Sequence, residues 1–75
     1  MPIIAYVLIQ VKGSKAEQIA EDIVKLEGIR MAHSVTGMYD IIAYVEVDDL
    51  GAIAELVRKI HEVDDIERTH TAISA

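Results

Sequence analysis

Within a chain of 75 residues, the segment Thr36-Gly37-Met38-Tyr39-Asp40 is the one best equipped for recognition chemistry. Gly37 lets the backbone approach a ligand closely. Asp40 offers an unpaired carboxylate suited to an ammonium group. The same five residues also describe an ordinary hairpin with Asp40 closing the turn, and composition leaves both readings open. Three histidines raise metal binding or acid–base catalysis, but His33 and His70 fall on different strands and His61 falls at a helix end, where a cation complements the dipole. The chain has no Cys and no H-x-x-x-H or H-E-x-x-H spacing. The pairs Asp48-Asp49 and Asp64-Asp65 suit helix caps and turns better than a metal cage. Ser14 is assigned to a helix cap, and Ser34 and Ser74 lack a neighbouring base that would activate them. Lys12-Gly13-Ser14 sits where backbone N–H groups could hold an anion, although a single glycine favours a plain turn. We therefore expect no catalytic residue, no metal and no cofactor.

These residues are carried by elements that the apolar pattern delimits. Ile3 to Val11 reads IIAYVLIQV, too short and too β-branched for a helix, and Lys12-Gly13 break it, which predicts a first strand. Ser14 followed by Glu17 has the capping-box spacing, and Ala16, Ile19, Ala20, Ile23 and Leu26 follow helical periodicity, so a helix is expected from Ser14 to about Glu27, closed by Gly28. Ile29, Met31, His33 and Val35 alternate with Arg30, Ala32, Ser34 and Thr36, predicting a second strand that enters the hairpin. Ile41 to Val47 is a third strand. Asp48-Asp49 then offer an N-cap for a helix whose stripe is Leu50, Ile53, Leu56, Val57 and Ile60, ending near His61 to Val63. Ile66 to Ile73 resumes strand character.

The order βαββαβ contains a repeat. IIAYV occurs at residues 3–7 and again at 41–45, and at an offset of 37 Ile29 lies over Ile66, His33 over His70 and Ser34 over Thr71. Two split βαβ units interleave as a ferredoxin-like α+β fold: a four-stranded antiparallel sheet, the repeated strands central, with both helices on one face. Ile3, Ala5, Val7 and Ile9, with Ile41, Ala43, Val45 and Val47, suit the helix-covered face. The other face carries Ile4, Tyr6, Leu8 and Gln10 with Ile42, Tyr44 and Glu46, apolar enough to call for cover. A homodimer built sheet face against sheet face, through Ile4, Tyr6, Leu8, Ile42 and Tyr44, is expected.

Composition sets the outer limits. Seventy-five residues suit one small domain, residues 1–75, whose core is marginal alone and, without cysteine, has no disulfide to reinforce it. A net charge of -6 repels a phosphate backbone and disfavours autonomous nucleic-acid binding. The longest apolar run, Ile3 to Ile9, is far below the ~20 residues of a membrane span, and no signal peptide is apparent, so a cytoplasmic protein is expected. The absence of Asn and the abundance of Ile, Glu and Lys resemble thermophile composition.

Val35-Thr36-Gly37-Met38-Tyr39-Asp40-Ile41 resembles the V-x-G-x-[YF]-D-hydrophobic signature of the RAM domain, the effector domain of Lrp/AsnC regulators of amino-acid metabolism. Ile66 to Ile73, with Thr69-His70-Thr71, resembles the last strand of that domain and its T-x-T element. The resemblance covers nearly the whole chain and lacks the family's helix-turn-helix domain, as in a stand-alone RAM protein. It implies dimers that join into larger rings, commonly octamers, with a free amino acid bound between dimers. Carried over by position, Thr36 and the Gly37-Met38-Tyr39-Asp40 hairpin would hold the zwitterionic head, with Asp40 on the ammonium. Thr69 and Thr71 would add hydroxyls, and Ser34 and Ala72 would shape the pocket. The expected function is non-enzymatic amino-acid sensing, with full-length Lrp/AsnC proteins as possible partners. The alternatives are a cofactor-free monooxygenase or isomerase of the small dimeric ferredoxin-like type, and an assembly module with no ligand.

Overall fold

The branched, apolar run Ile3–Val11 forms a nine-residue strand, β1, at the centre of a sheet, where both of its edges are hydrogen-bonded. The chain is described by a computed structural model covering residues 2–74. The further elements are α1 (Ala16–Ile23), β2 (Ile29–Ser34), β3 (Ile41–Val47), α2 (Leu50–His61) and β4 (Ile66–Ile73). Strand order is β2-β3-β1-β4, and each neighbouring pair is antiparallel. The repeated pentapeptides therefore pair with each other, Tyr6 opposite Tyr44 and Ala5 opposite Val45, and the expected ferredoxin-like topology is present.

One face of the sheet is sealed. Ala5, Val7, Ile9, Ile41, Ala43 and Val45 are fully buried beneath Ile19, Ala20 and Ile23 of α1 and Ile53, Leu56 and Ile60 of α2. This face carries the hydrophobic stabilisation, at about 1.5–3 kcal/mol per fully buried large aliphatic side chain. Leu50, expected in the α2 stripe, is exposed instead, at the first residue of the helix.

α1 departs from expectation at both ends. Its N-cap is Lys15, not Ser14, and no side chain caps it. It ends at Ile23, four residues before Glu27, because the chain tightens into three-residue bonds: Lys25 N–H donates to Asp22 O at 3.3 Å and Leu26 N–H to Ile23 O at 3.0 Å. At α2 the expected cap is present, with Asp49 Oδ1 accepting from Ala52 N–H at 2.8 Å.

The repeat extends to the turns. Gly28 (φ +99°) and Asp65 (φ +71°), 37 residues apart, each supply the left-handed residue between helix and strand. Glu46 N–H donates to Gly28 O and Lys12 N–H to Asp65 O. Each following strand then bulges by one residue, at Arg30 in β2 and at Glu67 in β4. The bulge corrects the alternation expected of β2. Ile29 lies opposite buried Val45, Met31 lies opposite Tyr44, and so Ile29 and Met31 face opposite sides.

Candidate functional site

The loop between β2 and β3 folds back onto β1 through its own backbone and two side chains. Val35 N–H donates to Asp40 O, and Asp40 N–H donates to Ile9 O, both at 2.8 Å. Val11 N–H donates to Asp40 Oδ2 at 2.8 Å, and Gln10 Nε2 donates to Met38 O at 2.8 Å. Asp40 thus extends the β1–β3 ladder by one step, its short carboxylate standing in for a backbone carbonyl. One carboxylate oxygen is committed to Val11, so Asp40 is not wholly unpaired, and Oδ1 has no bonded partner among the described residues. Gly37 adopts φ +113°, in the left-handed region, and a Cβ there would meet nothing within 4 Å. Glycine is needed at this position for the turn, and the space around it is open. Tyr39 reaches across β1, its ring centroid 6.4 Å from that of His70 on β4.

The register separates the other expected residues. Directly opposed residues on antiparallel strands share a face. Thr69 opposes Ile9 and Thr71 opposes Val7, so both hydroxyls lie on the helix-covered side. There His61, at the end of α2, places Nε2 2.9 Å from Thr69 Oγ1. His70 opposes Leu8 and Ala72 opposes Tyr6, on the outer face. Ser34 opposes Ile41 and, with Val35, lines an open groove of about 650 Å³ beside Ser14, Lys15 and Glu17 at the start of α1. One chain therefore gathers the Gly37-to-Asp40 hairpin with Gln10 and His70, and separately gathers Thr69 and Thr71 with His61. It leaves Ser34 and Ala72 apart from both groups.

Gln10, His61 and His70 belong to these groups, and Arg68 lies opposite Gln10 on the outer face, without any of the four having been singled out as ligand residues. Gln10 could have been noticed as the polar end of the row Ile4, Tyr6, Leu8. The faces of Arg68 and His70 depend on the bulge at Glu67, which sequence alternation does not mark.

The outer face is apolar at its centre, Tyr6, Leu8, Ile42 and Tyr44. Its rungs run His33, Ile42, Leu8, His70 and Met31, Tyr44, Tyr6, Ala72 across all four strands. The Tyr6 and Tyr44 rings meet edge to face at 5.5 Å. Tyr6 is 43% and Met31 50% exposed. A second open groove, of about 570 Å³, lies between Gly28, Arg30, Glu46, Asp49 and Lys59 and contains none of the expected site residues. On the exposed side of α2, the hydrogen bond from Arg58 holds the Glu55 carboxyl below its ordinary range, and Glu55 and Glu62 raise Arg58 in turn. Among the described residues no group of three or more His, Cys, Asp or Glu is placed to hold a metal ion, and no helix is long and apolar enough to cross a membrane.

A family model described as the Lrp/AsnC ligand binding domain matches residues 4–75. The HTH-type transcriptional regulator FL11 of Pyrococcus abyssi is 30% identical over 70 residues, which are 93% of this chain and 46% of that protein. The chain thus spans about half the length of the curated relatives it matches. A crystal structure from Thermus thermophilus superimposes with a TM-score of 0.91 at 32% identity, covering 97% of this chain and 92% of that one. A Neisseria meningitidis transcriptional regulator solved as an L-Met complex shares the fold, with a TM-score of 0.83 at 14% identity over 97% of this chain and 49% of that one.

Proposed function

The chain belongs to the Lrp/AsnC ligand binding domain family, and from that premise we propose that it is a non-enzymatic effector domain that senses free amino acids. The observation that carries this reading is the Gly37-to-Asp40 hairpin. Its backbone is pinned across β1, one Asp40 oxygen is spent on holding it there, and the other is left for an ammonium group. The relative solved with L-Met supports a free amino acid as the ligand class. A buried core made only of Ala, Val, Ile and Leu supports a binding role over a catalytic one.

Thr69 and Thr71 face away from the hairpin, so their hydroxyls and the hairpin of one chain serve different ligands, or serve one ligand across a subunit boundary. We take the second arrangement, with dimers formed through Ile4, Tyr6, Leu8, Ile42 and Tyr44 and then joined into a ring, octameric as the resemblance implies. Covering this partly exposed row would contribute roughly 5 kcal/mol, comparable with the whole stability of a small domain. A net charge of -6 disfavours direct contact between this domain and DNA, and a full-length Lrp/AsnC protein is a partner that would supply a DNA reader.

The test is a thermal-shift screen of the twenty amino acids at millimolar concentration, run on the wild type and on Asp40→Asn. At least one amino acid raises the melting temperature of the wild type, and the variant loses that response. If no amino acid does so, the sensing reading fails and assembly without a ligand replaces it.

A further inference from the structure

We propose that Arg68 is the carboxylate-binding residue of the amino-acid site, an assignment that rests on the sensing role given above and specifies which atoms read the head group. Each of the other two arginines already has carboxylate partners: Arg30 lies 3.8 Å from Glu46, and Arg58 bonds both Glu55 and Glu62. Among the described residues Arg68 makes no ion pair. Its place in the fold is set by the β4 register, opposite Gln10 and two residues from His70 on the outer face. Gln10 is the residue whose amide holds Met38 O, and His70 is the residue against which Tyr39 leans. The hairpin therefore closes over β1 toward Arg68, and away from the hydroxyls of Thr69 and Thr71.

Asp40 and Arg68 flank β1 on opposite sides at the level of Gln10. Adjacent strands are spaced about 4.8 Å apart, which puts the two backbones about 10 Å from each other. An extended arginine stem is long enough to span part of that gap, on the face that also carries the Gln10 side chain. What remains suits a head group whose ammonium and carboxylate are carried on one carbon, the ammonium on Asp40 Oδ1 and the carboxylate on the guanidinium fork. A chain with a net charge of -6 disfavours free carboxylates elsewhere on its surface, so a local cation is what such a ligand requires. Thr69 and Thr71 keep their hydroxyls for a ligand's side chain or for a neighbouring subunit.

The experiment compares affinities of the twenty free L-amino acids and the corresponding L-amino-acid amides, measured by calorimetry on the wild type, Arg68→Gln, Arg68→Lys and Arg30→Gln. The amides keep the ammonium and lose the carboxylate charge. The wild type prefers a free acid over its amide by about tenfold to a hundredfold, the worth of a charge-assisted pair. Arg68→Gln brings that ratio close to one while leaving amide affinity nearly unchanged, Arg68→Lys gives an intermediate ratio, and Arg30→Gln, which removes an arginine outside the site, keeps the wild-type ratio. If the wild type binds a free acid and Arg68→Gln keeps its acid-to-amide ratio, the Arg68 assignment is overturned and the sensing role stands. If the wild type binds no free acid, both fall together.

Discussion

The two faces of this sheet are built from neighbouring residues of the same strands, and they serve different ends. Ala5, Val7 and Ile9 point into a sealed aliphatic core, whereas Tyr6, Leu8 and Gln10 point to a face that one chain leaves open. The inner face is uniform in chemistry and is finished within the chain. The outer face is graded, apolar at its centre, with a polar corner where Gln10 and His70 meet the hairpin and Arg68 lies opposite Gln10. A domain of this length seals one face only, and on the function proposed above the other face is left for partner and ligand.

Substitutions at adjacent positions test that division, and the largest effect is expected inside. Ile9→Ala costs about 2–5 kcal/mol in urea denaturation, because a fully buried side chain leaves a cavity. Leu8→Ala, one residue away, costs the isolated chain far less and shows its loss in self-association. Equal costs at the two positions would erase the distinction between the faces. Asp40 comes next, since its carboxylate holds the hairpin to β1 and, on the proposed function, also binds the ligand's ammonium. Asp40→Ala lowers stability by about 1–2 kcal/mol by leaving Val11 N–H without its acceptor. Asp40→Asn keeps an acceptor and most of that stability, and loses amino-acid binding. Smaller again is the contrast between the two repeat turns. Gly28→Ala costs about 1–2 kcal/mol for a left-handed alanine, with a Cβ that would come 3.1 Å from Val47 Cγ1. Asp65→Gly raises the melting temperature slightly by relieving the same conformation. The smallest effect belongs to Glu55, which is exposed on α2. Its folded pKa lies below its unfolded one, so its contribution is present above the unfolded value and lost as the pH falls through the folded one. Glu55→Gln flattens only that acid limb of the melting profile.

The repeat made the fold legible. Two copies of IIAYV, each followed by a helix pattern and a strand, allow few arrangements, and pairing the copies in the centre is the one observed. Local endings were less legible. The apolar spacing of Leu26 continues the α1 stripe even though the backbone has already tightened after Ile23, because periodicity registers which side chains point inward and not which hydrogen bonds hold them. The bulges at Arg30 and Glu67 were hidden for a related reason. An inserted residue exchanges faces downstream without changing residue types, and Ile29 with Met31 reads equally well as one face or two. The site inherits that uncertainty. The hairpin residues could be named because Gly37 and Asp40 have specific backbone roles, whereas the separation of Thr69 and Thr71 from His70 and Ala72 required the register.

Sedimentation velocity at micromolar concentration, on the wild type and on the double variant Tyr6→Asp with Tyr44→Asp, tests most directly whether the outer face is built for a second copy. The wild type sediments as a dimer or a larger ring, and the double variant sediments as an 8.3 kDa monomer that keeps its circular dichroism. A wild-type chain that remains monomeric, or a double variant that assembles as the wild type does, would contradict the account.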